Sequence, residues 1–139
     1  MSALQEAARR WSLIVRVRGL RVRRRRIALA LAQRAAQTAH AEVAAREQER
    51  AQHAAQRALV LAGCVHESPG AGVWREALEQ HRLQAANLQT AVQVAQAAYM
   101  RTLAELENIS SMLRRETRAQ EDAQSRAREI AAKLRGETY

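Results

Sequence analysis

A single break at the midpoint constrains this chain more than any other feature. The stretch Gly63-Cys64-Val65-His66-Glu67-Ser68-Pro69-Gly70-Ala71-Gly72 holds three of the five glycines and the only proline among 139 residues. Proline lacks a backbone donor and fixes φ, while glycine admits left-handed turns, so a helix does not run comfortably through this segment. Sixty-two residues precede it and 67 follow, and apart from Gly19 and Gly136 neither flank contains a helix breaker. The pattern predicts one helix over about 3–62, a loop over 63–73 with Gly63 as the C-terminal cap of the first helix, and a second helix over about 74–135. Arms of roughly 60 residues would each reach about 90 Å at 1.5 Å per residue.

Periodicity says how the arms meet. Taking Leu78 as position a, every seventh residue reads Leu78, Ala85, Val92, Tyr99, Leu106, Leu113, Gln120, Ala127, Leu134. The d row reads His81, Leu88, Ala95, Thr102, Ile109, Glu116, Ala123, Ile130. A mostly apolar seven-residue repeat sustained this long marks a seam facing another helix. Glu116 and Gln120 interrupt it, as register-fixing polar residues do. The first arm keeps one row of Ala8, Val15, Val22, Leu29, Ala36, Val43 and another of Leu4, Trp11, Arg18, Arg25, Ala32, Ala39. Continued past Val43, these rows would put Arg46, Arg50, His53 and Arg57 in the seam. A shift of about one residue recovers Ala44, Ala51, Ala54, Ala58 and Leu61, which predicts a stutter near residues 43–47. Two striped helices on a tight link pack antiparallel. The expected fold is a single all-α domain, an antiparallel coiled-coil hairpin.

Composition supports this architecture. The chain has 31 alanines, 22 arginines against one lysine (Lys133), no phenylalanine, and only Trp11, Trp74, Tyr99 and Tyr139 as large aromatics. Alanine buries little area per side chain, so a thick globular core is excluded, and the mixture is that of long helices. Lone Cys64 makes no internal disulfide and reads as a small residue in the connection. Ile27-Ala28-Leu29-Ala30-Leu31-Ala32 is far short of a membrane span and too short for a secretory leader despite the preceding arginines. The expected location is cytoplasmic.

Catalytic chemistry finds no foothold in the sequence. There is no Gly-rich phosphate loop, no HExxH and no Cys/His ligand cluster. The histidines at 40, 53, 66 and 81 are scattered. The acid pairs Glu105/Glu107 and Glu121/Asp122 are too close in sequence to face one pocket on a helix. The expectation is a binding or mechanical protein, not an enzyme, with no catalytic residue, metal, cofactor or small-molecule substrate.

Charge singles out one end. The formal net charge is +9, and residues 1–26, with nine arginines and one acid (Glu6), supply +8 of it. These are Arg9, Arg10, Arg16, Arg18, Arg21, Arg23, Arg24, Arg25 and Arg26, seven of them within the eleven residues from Arg16 to Arg26. Such a density surrounds a helix rather than occupying one face. In an antiparallel hairpin, residues 16–26 lie opposite roughly 110–122, where Glu116, Glu121 and Asp122 are too few to neutralise them. The collar should therefore remain exposed. Four readings stay open: a solvated helix end, nucleic-acid binding through phosphates, an acidic membrane surface, and an acidic protein surface or pore suited to arginine's planar fork. The nucleic-acid reading lacks interleaved aromatics. The membrane reading would use Trp11, Leu13, Ile14, Val15, Val17, Leu20 and Val22, which show no clean division into faces.

An alanine-, arginine-, glutamine- and glutamate-rich helical hairpin of this length, nearly free of aromatics and with both termini at one end, resembles the FliJ/YscO family of central-stalk proteins in flagellar and virulence type III secretion. The likeness covers Leu4 to Leu134 and is one of architecture and composition. It implies a coiled coil inserted into a hexameric export ATPase and coupled to an export gate, with secretion chaperones as further candidate partners and a location peripheral to the inner membrane. It also implies that Arg9 to Arg26 lie against the ATPase ring, and that a tip formed by Val65, His66, Val73 and Trp74 meets the gate. The alternative is a basic coiled-coil adaptor binding nucleic acid or acidic lipid through residues 9–26.

Overall fold

A computed structural model describes residues 2–66 and 71–136. Two helices account for nearly all of them: α1 (Ala3–His66) and α2 (Ala71–Leu134), each 64 residues long. The chain is an all-α helical hairpin, with no strand among the described residues. Both outer helix ends are closed by their own sequence. Ser2 Oγ accepts a hydrogen bond from the Gln5 amide at 3.1 Å, and Gln5 Oε1 accepts one from the Ser2 amide at 3.2 Å. This reciprocal capping box satisfies two donors that the first turn leaves unpaired. At the other end, Gly136 takes φ of +72° and its amide bonds to the Lys133 carbonyl at 3.1 Å. Lys133 lies in the last turn, where a cation complements the helix dipole.

The connection is shorter than the expected loop over 63–73. Helix α1 continues through Gly63 to His66, and α2 begins at Ala71. Gly63 is therefore not a left-handed cap. A glycine inside a helix costs only about 1 kcal/mol relative to alanine, which a continuing helix overrides. The space beside Gly63 is taken by Trp74, whose ring comes within 3.9 Å of where a Cβ would stand. Glu67, Ser68, Pro69 and Gly70 lie outside the described residues, as do the side chains of Cys64, Val65, His66 and Val73.

The contacts divide the hairpin into two compact units: unit 1 comprises 1–34 with 104–139, and unit 2 comprises 35–103. In unit 2, cross-helix partners run in opposite order along the chain, which fixes the antiparallel sense. The His40 and Tyr99 rings lie 5.3 Å apart. Gln96 donates to Glu47 at 3.5 Å, Arg50 to Gln89 at 2.8 Å, and His53 and His81 share a 3.2 Å hydrogen bond. Val92 (1% exposed), Ala95, Ala36 and His53 (5%) form its buried centre. In unit 1, Val22 (2%) and Ala123 are buried. Each of the six buried residues, Val22, Ala36, His53, Val92, Ala95 and Ala123, lies on a predicted heptad row or its direct continuation, and the α2 rows are buried or half-buried throughout except at Leu134, which is 42% exposed.

The predicted stutter does not occur. Ala44, Ala51, Ala54, Ala58 and Leu61 are exposed, while Arg46, His53, Arg57 and Val60 continue the original rows in half-buried or buried positions. The polar side chains stay in register because they are accommodated individually. His53 finds His81 across the seam. Arg50, exposed on the same continued row, donates to Gln89, whereas half-buried Arg57 keeps its Nε buried without a partner among the described residues.

Candidate functional site

The arginine collar lies in unit 1, on a stretch of α1 whose inner face is tied to α2. Helical spacing turns Trp11, Ile14, Val15, Val22 and Leu29 toward the seam, where all are buried or half-buried. Arg126 of α2 places its guanidinium 5.2 Å from the Trp11 ring centre, a cation–π contact worth about 0.5–1 kcal/mol at such a site. Gly19 allows a close approach: a Cβ there would stand 3.0 Å from Gln120 Nε2. The expected pairing of the 16–26 segment with the neighbourhood of residue 120 is thus present. Glu116 holds one carboxylate oxygen buried and without a hydrogen-bond partner among the described residues.

Of the nine predicted arginines, Arg9, Arg10, Arg16, Arg21, Arg23, Arg24 and Arg26 are exposed, and Arg18 and Arg25 are half-buried on the seam row. Among the described residues, none of the nine forms an ion pair. An open groove of about 470 Å³ runs beside them, with Leu13, Val17, Arg18 and Arg21 on the α1 side and Asp122 and Arg126 on the α2 side. Unpaired guanidinium forks on a fixed helix can grip carboxylates or phosphates in paired contacts.

Unit 2 handles charge differently. Arg46 bridges Glu42 at 2.8 Å and Glu49 at 3.3 Å, and Arg82 bridges Glu79 at 2.6 Å. The hydrogen bond from Arg82 holds the Glu79 carboxyl below the usual carboxylate range, and that from Glu42 raises Arg46. Of the predicted tip residues, only Trp74 has a described side chain. It is half-buried, and its indole N–H finds no acceptor among the described residues. Among the described residues, no group of three or more His, Cys, Asp or Glu is placed to hold a metal ion. No described helix is long and apolar enough to cross a membrane.

The sequence reading named Leu13, Val17 and Leu20 within an undivided apolar set and missed the face they share with Ile27 and Leu31. Leu13, Val17, Leu20, Ile27 and Leu31 are exposed on the same stretch of α1 that carries the collar. The signal was present as a second helical-period series offset from the heptad rows, but the density of arginine around it hid the pattern. The chain matches no family model, no curated protein and no solved structure.

Proposed function

We propose that this hairpin is a non-enzymatic central stalk of a bacterial type III secretion export apparatus, working at the cytoplasmic face of the inner membrane. In this reading Arg9 to Arg26 seat unit 1 against acidic residues of a hexameric export ATPase. The turn flanked by Val65, His66, Val73 and Trp74 meets the export gate. The observation that carries it is the collar itself: nine arginines on a seam-anchored helix, none of which forms an ion pair among the described residues. A partner presenting carboxylates gains paired contacts there without first having to break any, and the net charge accelerates encounter. Two-helix packing also gives the collar a backbone that cannot collapse around its own charges.

The test is a pull-down of the full chain with a hexameric export ATPase, together with the rate of ATP hydrolysis. Binding with a changed hydrolysis rate is expected, and it should weaken when Arg23, Arg24, Arg25 and Arg26 are replaced by glutamine. Absence of both effects, alongside tight duplex binding with a steep salt dependence, would sink the stalk reading.

A further inference from the structure

The exposed aliphatic side chains of unit 1 form a line. Leu13, Val17, Leu20, Ile27 and Leu31 follow one another at steps of four, three, seven and four residues. At 100° per residue they fall within an arc of about 80° and extend for about 27 Å along α1. Each is between 39% and 60% exposed. The seam residues Trp11, Val15 and Val22 lie on the opposite side of the same helix. This part of α1 therefore has two apolar faces, one spent on α2 and one exposed, with Leu13 and Val17 at the edge of the groove that Asp122 and Arg126 of α2 also line. Exposed Arg16 and Arg23 border the outer face on one side, and exposed Arg10 and Arg21 on the other. Arg24 lies within the stripe. No acidic residue occurs in α1 between Glu6 and Glu42.

From this arrangement we infer that the outer face of α1 in unit 1 binds an anionic membrane surface, with the stripe inserted among the acyl chains and the arginines on the headgroups. Contiguous exposed aliphatics rimmed by charge mark an interaction surface. The charge demands an anionic occupant. Nucleic acid would satisfy the arginines but offers no apolar layer for five leucine, isoleucine and valine side chains. A bilayer offers both, with negative charge on both sides of the inserted line. Helices of this kind lie in the interface with the apolar face about 5–10 Å deep, and Arg24 has a stem long enough to raise its head to the headgroups from within the stripe. This goes beyond the stalk reading, whose ATPase contact uses the arginines and leaves the stripe idle.

Flotation of the full chain with vesicles provides the test, comparing phosphatidylcholine alone with an equal mixture of phosphatidylcholine and phosphatidylglycerol. Flotation only with the anionic vesicles is expected. The combined Leu13→Ser, Leu20→Ser and Ile27→Ser variant should keep full helicity by circular dichroism, because these residues face away from the seam, and should lose binding by roughly tenfold or more. Arg16→Gln and Arg23→Gln should each weaken anionic binding by about fivefold, the equivalent of about 1 kcal/mol per arginine near a charged surface. Leu83→Ser with Val94→Ser, at exposed apolar positions of unit 2, should change nothing. Three outcomes would overturn the inference: absence of flotation with the anionic vesicles, equal flotation with neutral vesicles, or undiminished binding of the serine variant.

Discussion

Unit 1 contains 17 basic and eight acidic residues, whereas unit 2 contains six of each and all four histidines. The whole net charge of +9 thus belongs to unit 1. Both units use the same device, two helices joined by a heptad seam of small residues, yet they dispose of polar groups in opposite ways. Unit 2 pairs them: His53 with His81, Arg50 with Gln89, Arg46 with Glu42 and Glu49. In unit 1 the nine arginines from Arg9 to Arg26 form no ion pair among the described residues, and a row of leucine, valine and isoleucine side chains beside them stays in the open. Internal pairing is what a segment does when its surface has only to be soluble. Charge left unpaired beside apolar side chains is available to something outside the chain, and that difference is why the proposed ATPase and membrane contacts are placed on unit 1.

The comparison can be broken most forcefully at the two most buried valines. Val92→Asp strands a carboxylate at the most buried position of unit 2, where Arg46 and Arg50 are already engaged with Glu42, Glu49 and Gln89, and should cost about 3–5 kcal/mol in urea denaturation. Val22→Asp should cost clearly less, because the surrounding arginines of unit 1 supply the missing counter-charge. Equal losses would mean that the collar's field does not reach the seam.

A smaller effect is expected at the histidine pair. His53→Ala leaves His81 without its partner and should destabilise by about 1–3 kcal/mol. Replacing both histidines with leucine should recover most of that loss, since an apolar pair leaves no polar group unsatisfied. A double-mutant cycle with no coupling would show that the 3.2 Å bond contributes nothing.

Salt then separates the units. Arginines three and four residues apart on one helix repel one another, as Arg21 does with Arg24 and Arg25, so added sodium chloride should raise the thermal midpoint. Glutamine at Arg23 to Arg26 should raise it in low salt and flatten the salt response. A fall in helicity would instead reveal a structural task for these charges. The smallest change is expected at Gly19→Ala combined with Gln120→Ala. It removes the 3.0 Å approach to Nε2 and should stabilise unit 1 by about 0.5–1 kcal/mol through helix propensity.

Much of the fold was legible. The α2 rows, read at period seven from Leu78 to Ile130, are the residues that lie in the seam, because burial on a two-helix interface is set by angular position alone. Two details of α1 were not legible. The stutter near residues 43–47 was inferred on the assumption that alanine outcompetes arginine and histidine for a seam position. In this seam, however, Arg46 and Arg57 sit half-buried and His53 finds His81, so register is kept while Ala44, Ala51 and Ala54 face solvent. The cap assigned to Gly63 failed because glycine permits a left-handed turn without requiring one.

At the candidate site, the sequence determined the quantity of charge and its position along the chain: nine arginines before residue 27 with one acid among them. Composition and spacing suffice for that, because charge adds up whatever the fold. The tertiary structure decided which way each side chain of that segment points. Trp11, Leu13, Ile14, Val15, Val17, Leu20 and Val22 form an unsorted apolar set in the sequence. Packing against α2 withdraws Trp11, Ile14, Val15 and Val22 and leaves Leu13, Val17 and Leu20 outside with Ile27 and Leu31. A helix alone has no inside. Only the presence of a second helix on one side defines the face that remains for a partner.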